Sequence, residues 1–240
     1  AISAAVPSFA ATQPAPAGDP LEGYNRMMFS FNETVDDYFM KPVATGYDYV
    51  MPDLAQKGIS NFFGNINDVW SAANNFLEGR GERGLTMVAR VGCNTMFGLG
   101  GLIDVASDLQ MTRYRADFGQ TMAVWGVGSG PYFVVPFMGP STIRDAVGMI
   151  PDYWVGDGWG YVDKIRVRNI GYAVRIVNWR SSFLDAGDML NNASTDKYAF
   201  VRDSWLQARQ AQIFGEAPQK GEWEDVKPVA PSFKAETGKK

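Results

Sequence analysis

Histidine is absent from all 240 residues, and the only cysteine is Cys93. Those two facts remove the Ser-His-Asp and Cys-His nucleophilic machines, His- or thiolate-ligated zinc, and histidine-based pH switching. A lone cysteine also has no partner for an internal disulfide. Two glycine-rich stretches carry partial signatures of chemistry, and both fail in context. Gly98-Leu99-Gly100-Gly101 has the opening of a dinucleotide loop, but Ile103 stands where the third glycine belongs and no strand precedes it. Val127-Gly128-Ser129-Gly130 departs from the nucleophile elbow because Val127 occupies a required glycine position. Only Asp, Glu or Lys could then act as a base, and no paired-carboxylate motif is evident. An enzyme is not the expectation, and neither a metal nor a cofactor is implied.

The remaining residue types suit non-covalent work. Lys and Arg number 22 against 26 Asp and Glu, a net charge of −4 with a sequence pI near 4.9. Nucleic-acid binding usually needs a clustered basic excess, so that class is excluded. Charged residues make up 20%, under the roughly 25% of soluble domains, while 13% are aromatic and 26 residues are glycine. This composition leans towards contact with lipid or a partner.

These residues need elements to carry them. Residues 1–18 are rich in small residues and proline, without charge, and read as a flexible tether. They lack the basic and long apolar regions of an intact signal peptide, so a processed, exported chain is expected. Asp19-Pro20-Leu21-Glu22 is a helix start, with Asp19 as cap and Pro20 in the first turn. Tyr24, Met27, Met28, Phe31, Val35, Tyr38 and Phe39 then share one face, and Pro42 is expected to end the helix. That face suits either a core or a membrane surface.

A second helical stretch runs from Pro52 to Leu77 and carries Asn61, Asn65, Asn67, Asn74 and Asn75. Asparagine is a mediocre helix former, so either an amide-lined wet groove or a break into two helices near Gly64 and Asn67 would explain it. A third helix is expected over Glu82–Phe97, ending at the glycine-rich exit. No charge occurs between Asp117 and Arg144, a length that would cross a bilayer. Its many glycines and prolines forbid a continuous spanning helix, leaving a glycine-hinged hairpin or a strand-rich core loop. Two more charged helices follow, roughly Val162–Leu190 and Thr195–Phe214. The segment after Gly215 is rich in Pro, Lys and Glu and reads as a largely disordered tail, 215–240.

DPLEGYNRMMFSFN (19–32), KPVATGY (41–47), SNFFGN (60–65), NTMFGLGGLIDVAS (94–107) and DFGQTMAVWGVGSGPYFVVPFMGPSTIRD (117–145) stand in an order that resembles the MlaA (VacJ) family. The likeness covers a single domain, 19–214. It implies an all-α, ring-shaped arrangement of membrane-lying amphipathic helices, with a glycine/proline-rich hairpin lining a central amphipathic channel. It also implies residence in the inner, periplasmic leaflet of a Gram-negative outer membrane, as a monomer. The implied work is passive removal of mislocalised phospholipids from the outer leaflet and their delivery to the periplasmic lipid carrier MlaC, often beside a trimeric porin. Alternatives are a structural porin accessory or a soluble periplasmic lipid binder.

The resemblance places channel and hairpin residues at Gly126, Gly128, Ser129, Gly130, Pro131, Tyr132, Pro136, Gly139, Pro140, Arg144 and Asp145. It places channel-regulating residues of the first helix at Asn25, Phe31 and Asn32. Replacing Gly126 and Gly128 with valine is expected to stiffen the hairpin and impair transfer. Family members usually carry a lipidated N-terminal cysteine; the expectation is that it precedes Ala1 or that this member holds on without it.

Overall fold

The computed structural model describes residues 19–184 and 196–214. The expected tether and tail lie outside these, as does the end of the helix expected to reach Leu190. The first helix, α1 (Glu22–Val35), begins where anticipated, and the Asp19 carboxylate accepts the Leu21 N–H at 2.9 Å. Glu22 turns to Arg26 instead of reaching back to the cap. Pro42 does not end the helix. A π-turn over Asp36–Met40 widens the coil, and α2 (Lys41–Val50) continues from it with Pro42 in its first turn. The extra residue relieves the clash a proline ring makes with the carbonyl four positions back, so a bend replaces a stop.

Pro52, extended at ψ 144°, precedes α3 (Asp53–Leu77), which is continuous for 25 residues. The break considered near Gly64 is absent, because Gly64 serves another purpose. A Cβ there would lie 2.4 Å from the Arg113 guanidinium, which pairs with Asp68 one turn later. The next helix, α4 (Gly81–Phe97), matches the expected third helix and leads through Gly100 and Gly101, both at positive φ, to the short α5 (Val105–Asp108). The uncharged segment folds as α6 (Phe118–Val124) and an antiparallel hairpin, β1 (Tyr132–Val135) and β2 (Gly139–Thr142). Beyond it come α7 (Ile143–Pro151), a second π-turn, a short 3₁₀ turn (Gly158–Tyr161), α8 (Ile165–Ser181) and α9 (Lys197–Phe214).

The packed pairs close a circuit: α1 on β1, the hairpin on α7, α7 on α6, α6 on α3, α3 on α8 and α8 on α2, with α2 joined to α1 through the π-turn. This is a mostly helical ring, as expected. No helix among the described residues is long and apolar enough to cross a membrane.

Burial along the ring is inverted. Periodicity puts Leu85, Val88 and Met96 on one face of α4, and that face points outward, Met96 being 77% exposed. Arg90 and Asn94 point inward, with Arg90 wholly buried. Its guanidinium reaches Asp104, Ser107 and the Met111 carbonyl. Among the described side chains that are fully buried, Arg90, Asn25, Asn74, Asn75, Thr121, Thr142, Asp68 and Ser141 are polar, against only Met87 and Val134 among the larger apolar ones. Outside stand Tyr38 at 85%, Tyr49 at 92%, Phe39, Trp154, Tyr161 and Trp179. Ordinary globular domains bury the second set and solvate the first.

The asparagines of α3 hold the ring together. Asn61 donates to the Leu102 carbonyl, Asn74 to Trp70, and Asn75 to Ser71 and Tyr114. Asn67 accepts from Arg175, and Asn65 donates to Thr95. The amides are spent on neighbouring protein groups instead of standing free along a groove.

Candidate functional site: a hairpin clasped by two amides

In the hairpin Tyr132 pairs with Thr142, Phe133 with Ser141, Val134 with Pro140 and Val135 with Gly139. Pro140 sits opposite Val134, whose N–H points away from β2 and bonds to α1, so its missing donor costs the ladder nothing. The tip bends through Phe137 and Gly139, both at positive φ (63° and 89°). A phenylalanine in that region is strained, and neighbouring bonds must hold it there.

That hold comes from α1. The Asn25 carboxamide donates to the Tyr132 carbonyl at 3.0 Å and accepts the Val134 N–H at 2.9 Å. Asn32 repeats the pattern three residues further along, donating to the Val135 carbonyl at 3.1 Å and accepting from Phe137 N at 2.7 Å. Each amide thus does what one residue of a parallel strand would do at the free edge of β1. The spacings agree: seven helical residues rise about 10.5 Å, and three strand residues about 10 Å. An aromatic residue precedes each amide and backs it. Tyr24 stacks on Phe133 with ring centroids 5.2 Å apart, and Phe31 meets Phe137 edge-on at 5.2 Å.

Asp19 sets the orientation of Asn25. Both its oxygens take the Asn25 amide, at 3.1 and 3.0 Å, and Tyr198 of α9 donates its hydroxyl to the same carboxylate. Burial opposes charge on Asp19, but the hydrogen bonds from Tyr198, Asn25 and Leu21 outweigh it and hold the carboxyl below its ordinary range. A depressed folded pKa contributes stability above the unfolded value of 3.8 that is lost as pH falls through the folded one. The stability difference between the wild type and Asp19→Asn is therefore expected to be constant above about pH 5 and to shrink below 3.8. Thermal unfolding of both proteins across pH 3–7 (on the order of one point per half unit) checks this.

Beside the clasp, Tyr132 is buried against Tyr198 and Trp205, and its hydroxyl has no partner. Burial raises that hydroxyl to about 12.

The loop joining α6 to β1 carries Gly126, Gly128, Ser129, Gly130 and Pro131, and α7 holds it from the far side. Ile143 N donates to the Pro131 carbonyl and Arg144 N to that of Ser129, each at 3.1 Å; the Arg144 side chain reaches the Val127 carbonyl at 3.4 Å. Arg144 also pairs with Asp145 at 2.9 Å, and Asp145 with Arg209 of α9 at 3.1 Å. Arg209 grips Asp117 through two bonds of 2.6 Å. Two cations and two anions thus form a neutral, largely buried quartet that ties α6, α7 and α9 to the loop. Burial opposes ionisation at Asp117, yet Arg209 prevails and lowers its pKa. Thr142 caps α7 by accepting Asp145 N–H at 3.2 Å.

The glycines of the loop are not equivalent. Gly126 has φ +93° and Gly130 φ +66°, where a Cβ would also meet Ile143 at 3.2 Å. Gly128 is free of both constraints. Gly126→Ala is expected to cost about 1–3 kcal/mol in stability, and Gly128→Ala under about 1, in paired thermal or urea melts. A larger loss from Gly128→Ala would mean that the loop is packed differently.

All the residues singled out in the sequence thus fall on the hairpin, its supporting loop, the start of α7 or the clasping face of α1. Residue typing missed Asp19, Tyr24, Asp117, Tyr198 and Arg209. The signal for Tyr24 was present as an aromatic–asparagine pair, Tyr24-Asn25, repeated seven residues later as Phe31-Asn32.

A helical ring with amides and ion pairs inside and aromatics outside, holding a clasped hairpin, defines a membrane-lying protein. Residues 17–212 match the MlaA lipoprotein family, and the chain belongs to it. The protein named intermembrane phospholipid transport system lipoprotein MlaA of Escherichia coli is 35% identical over 195 residues, 79% of this chain and 76% of that one. Its namesake in Haemophilus influenzae is 31% identical over 207 residues, 81% of this chain and 79% of the relative. An uncharacterized protein of Rickettsia bellii is 35% identical over 196 residues, 81% of this chain and 76% of the relative. A solved structure, presented as the structural basis for maintenance of bacterial outer membrane lipid asymmetry, superposes with TM-score 0.70 at 36% identity. The match covers 82% of this chain and 99% of that one.

Proposed function

We propose that this protein works in phospholipid transport at a Gram-negative outer membrane, removing phospholipids mislocalised to the outer leaflet and passing them to a periplasmic carrier of the MlaC kind. On this reading the ring lies in the inner leaflet beside a trimeric porin, and transfer is passive, with no chemical step. The observation that carries it is the inverted burial. Exposed Tyr38, Tyr49, Met96 and Trp154 suit acyl chains and the interface, while the polar groups, paired with one another, are kept inside the ring and away from hydrocarbon. Similarity to the phospholipid transport lipoproteins of E. coli and H. influenzae points the same way.

In this account the hairpin is the moving part. Its edge bonds to α1 are made by side chains, so the strand pair can leave α1 without unwinding either. The hinge is the loop 125–131, where Gly126 and Gly130 supply the positive φ values. The test is reconstitution of the chain in vesicles containing fluorescent phospholipid, with a soluble lipid-binding acceptor outside and no ATP. Transfer to the acceptor above the protein-free rate is expected. Absence of transfer, or lysophospholipid in place of intact lipid, would overturn the reading.

A further inference from the structure

The outer edge of the ring changes character where the second π-turn and the 3₁₀ turn lead into α8. Tyr153, Trp154 and Tyr161 stand out from it, Trp154 being 77% exposed. The Tyr161 hydroxyl lies 3.3 and 3.4 Å from the Trp154 and Val155 carbonyls, which ties the two turns together. The Trp159 indole donates to the Arg168 carbonyl at 3.0 Å, and Tyr172 of α8 donates its hydroxyl to Asp157 at 2.7 Å. These bonds fix the aromatic edge against the first turns of α8.

That start of α8 is cationic. Lys164, Arg166 and Arg168 follow a single acid, Asp163, and no Asp or Glu occurs from 164 to 184. Further along, Arg175 pairs with Asp157 and Arg180 with Asp36. Arg168 is half-buried and reaches the Gly160 carbonyl at 3.4 Å. Lys164 and Arg166 are exposed, and among the described residues neither has an ion-pair or hydrogen-bond partner. Ile165, Val167 and Ile170 stand exposed among them. Long cationic side chains set between apolar ones lay their stems along hydrocarbon and hold their charge at headgroup level, where Trp and Tyr also gather.

The chain as a whole carries −4, so an anionic surface repels it overall. Attraction is confined to what comes within a Debye length of this edge, about 8–10 Å. An acidic protein would answer the charge, but would leave Ile165, Ile170 and Trp154 without hydrocarbon. A lipid surface answers both.

We propose that the edge from Tyr153 to Ile170 binds anionic phospholipids at the membrane surface, with Lys164 and Arg166 taking the headgroup charge and Trp154 and Tyr161 beside them at the interface. The inference rests on the membrane-lying, phospholipid-handling reading, and adds to it the headgroup class that this side of the ring selects.

The test reconstitutes the full chain in equimolar phosphatidylcholine and phosphatidylglycerol, with brominated tails on one lipid or on the other. Bromine quenches tryptophan on contact, and the quenching that Trp154→Phe removes reports the lipid at this edge. Brominated phosphatidylglycerol is expected to outweigh brominated phosphatidylcholine there about fivefold, the worth of one net cation beside an anionic surface. Lys164→Gln combined with Arg166→Gln should remove the preference, and Lys164→Arg with Arg166→Lys should keep it. Lys57→Gln takes an exposed cation from near the far end of α8, where Ser181 bonds Gln56, about 20 Å along the helix, and should change nothing. Inorganic phosphate at matched ionic strength should leave the preference intact, because the edge holds a lipid and not a free anion. Parity of the two lipids on the wild type would mean that the cations await an acidic protein, and would overturn the assignment. A preference that survives the double glutamine variant, or one lost to Lys57→Gln or to phosphate, would do the same. Trp154 quenched by neither lipid would remove the membrane-lying reading beneath, whereas parity removes this inference alone.

Discussion

Asn25→Leu should destabilise the protein by on the order of 4 kcal/mol and free the hairpin amides to exchange. The substitution keeps the volume but strips the Tyr132 carbonyl and the Val134 N–H of their partner and takes one donor from the Asp19 carboxylate, which keeps Tyr198 and the Leu21 N–H. An unsatisfied buried group costs about 1–3 kcal/mol, and a charged one more. Asn32→Leu should cost only about 1 kcal/mol, because Asn32 is half-buried and Val135 O keeps a second donor in Met138 N. The measurement is amide exchange across Tyr132–Phe137 together with denaturant melts in detergent. Comparable losses from the two variants would show that the clasp does not bear the load at its buried end.

Arg209→Met is the second large effect. The guanidinium bonds Asp117 twice and Asp145 on both oxygens, so removing it leaves the buried Asp145 carboxylate facing the half-exposed one of Asp117. Breaking a fully buried pair costs about 3–5 kcal/mol, and the exposure of Asp117 brings the expected loss to about 2–4. Arg209→Lys should recover little, since an ammonium cannot reproduce two-pronged contacts to two acids. Combining Arg209→Met with Asp117→Asn should cost less than the sum of the separate changes, by about 1–3 kcal/mol. Strict additivity in that cycle would mean the two side chains act independently. Because Asp145 leads to Arg144 and so to the Val127 carbonyl, the same variant should loosen the loop that carries the hairpin.

Helix existence was legible because periodicity reports that a face is apolar. It does not report which way the face points. Leu85, Val88 and Met96 were grouped correctly on α4, yet only the structure shows them outside and Arg90 inside. Local rules misled at Pro42, where a π-turn absorbs the ring, and at Gly64, where an arginine 49 positions away needs the room. The hairpin was readable from its uncharged, breaker-rich run, but its seat on α1 depends on the long-range bonds of Asn25 and Asn32 to β1 and the turn. Asp117 and Arg209 sit 92 residues apart, and nothing local to either announces the other. Those contacts are set by tertiary packing, which a linear pattern does not encode.

A polypeptide that keeps its amides within and its oils without has no comfortable state in plain water. The usual push that consolidates a domain, expulsion of oily groups from the aqueous phase, acts here only when a bilayer or detergent receives the outer belt. Folding strength measured for such a molecule is a joint property of protein and amphiphile, and will rise or fall with whichever surfactant surrounds it.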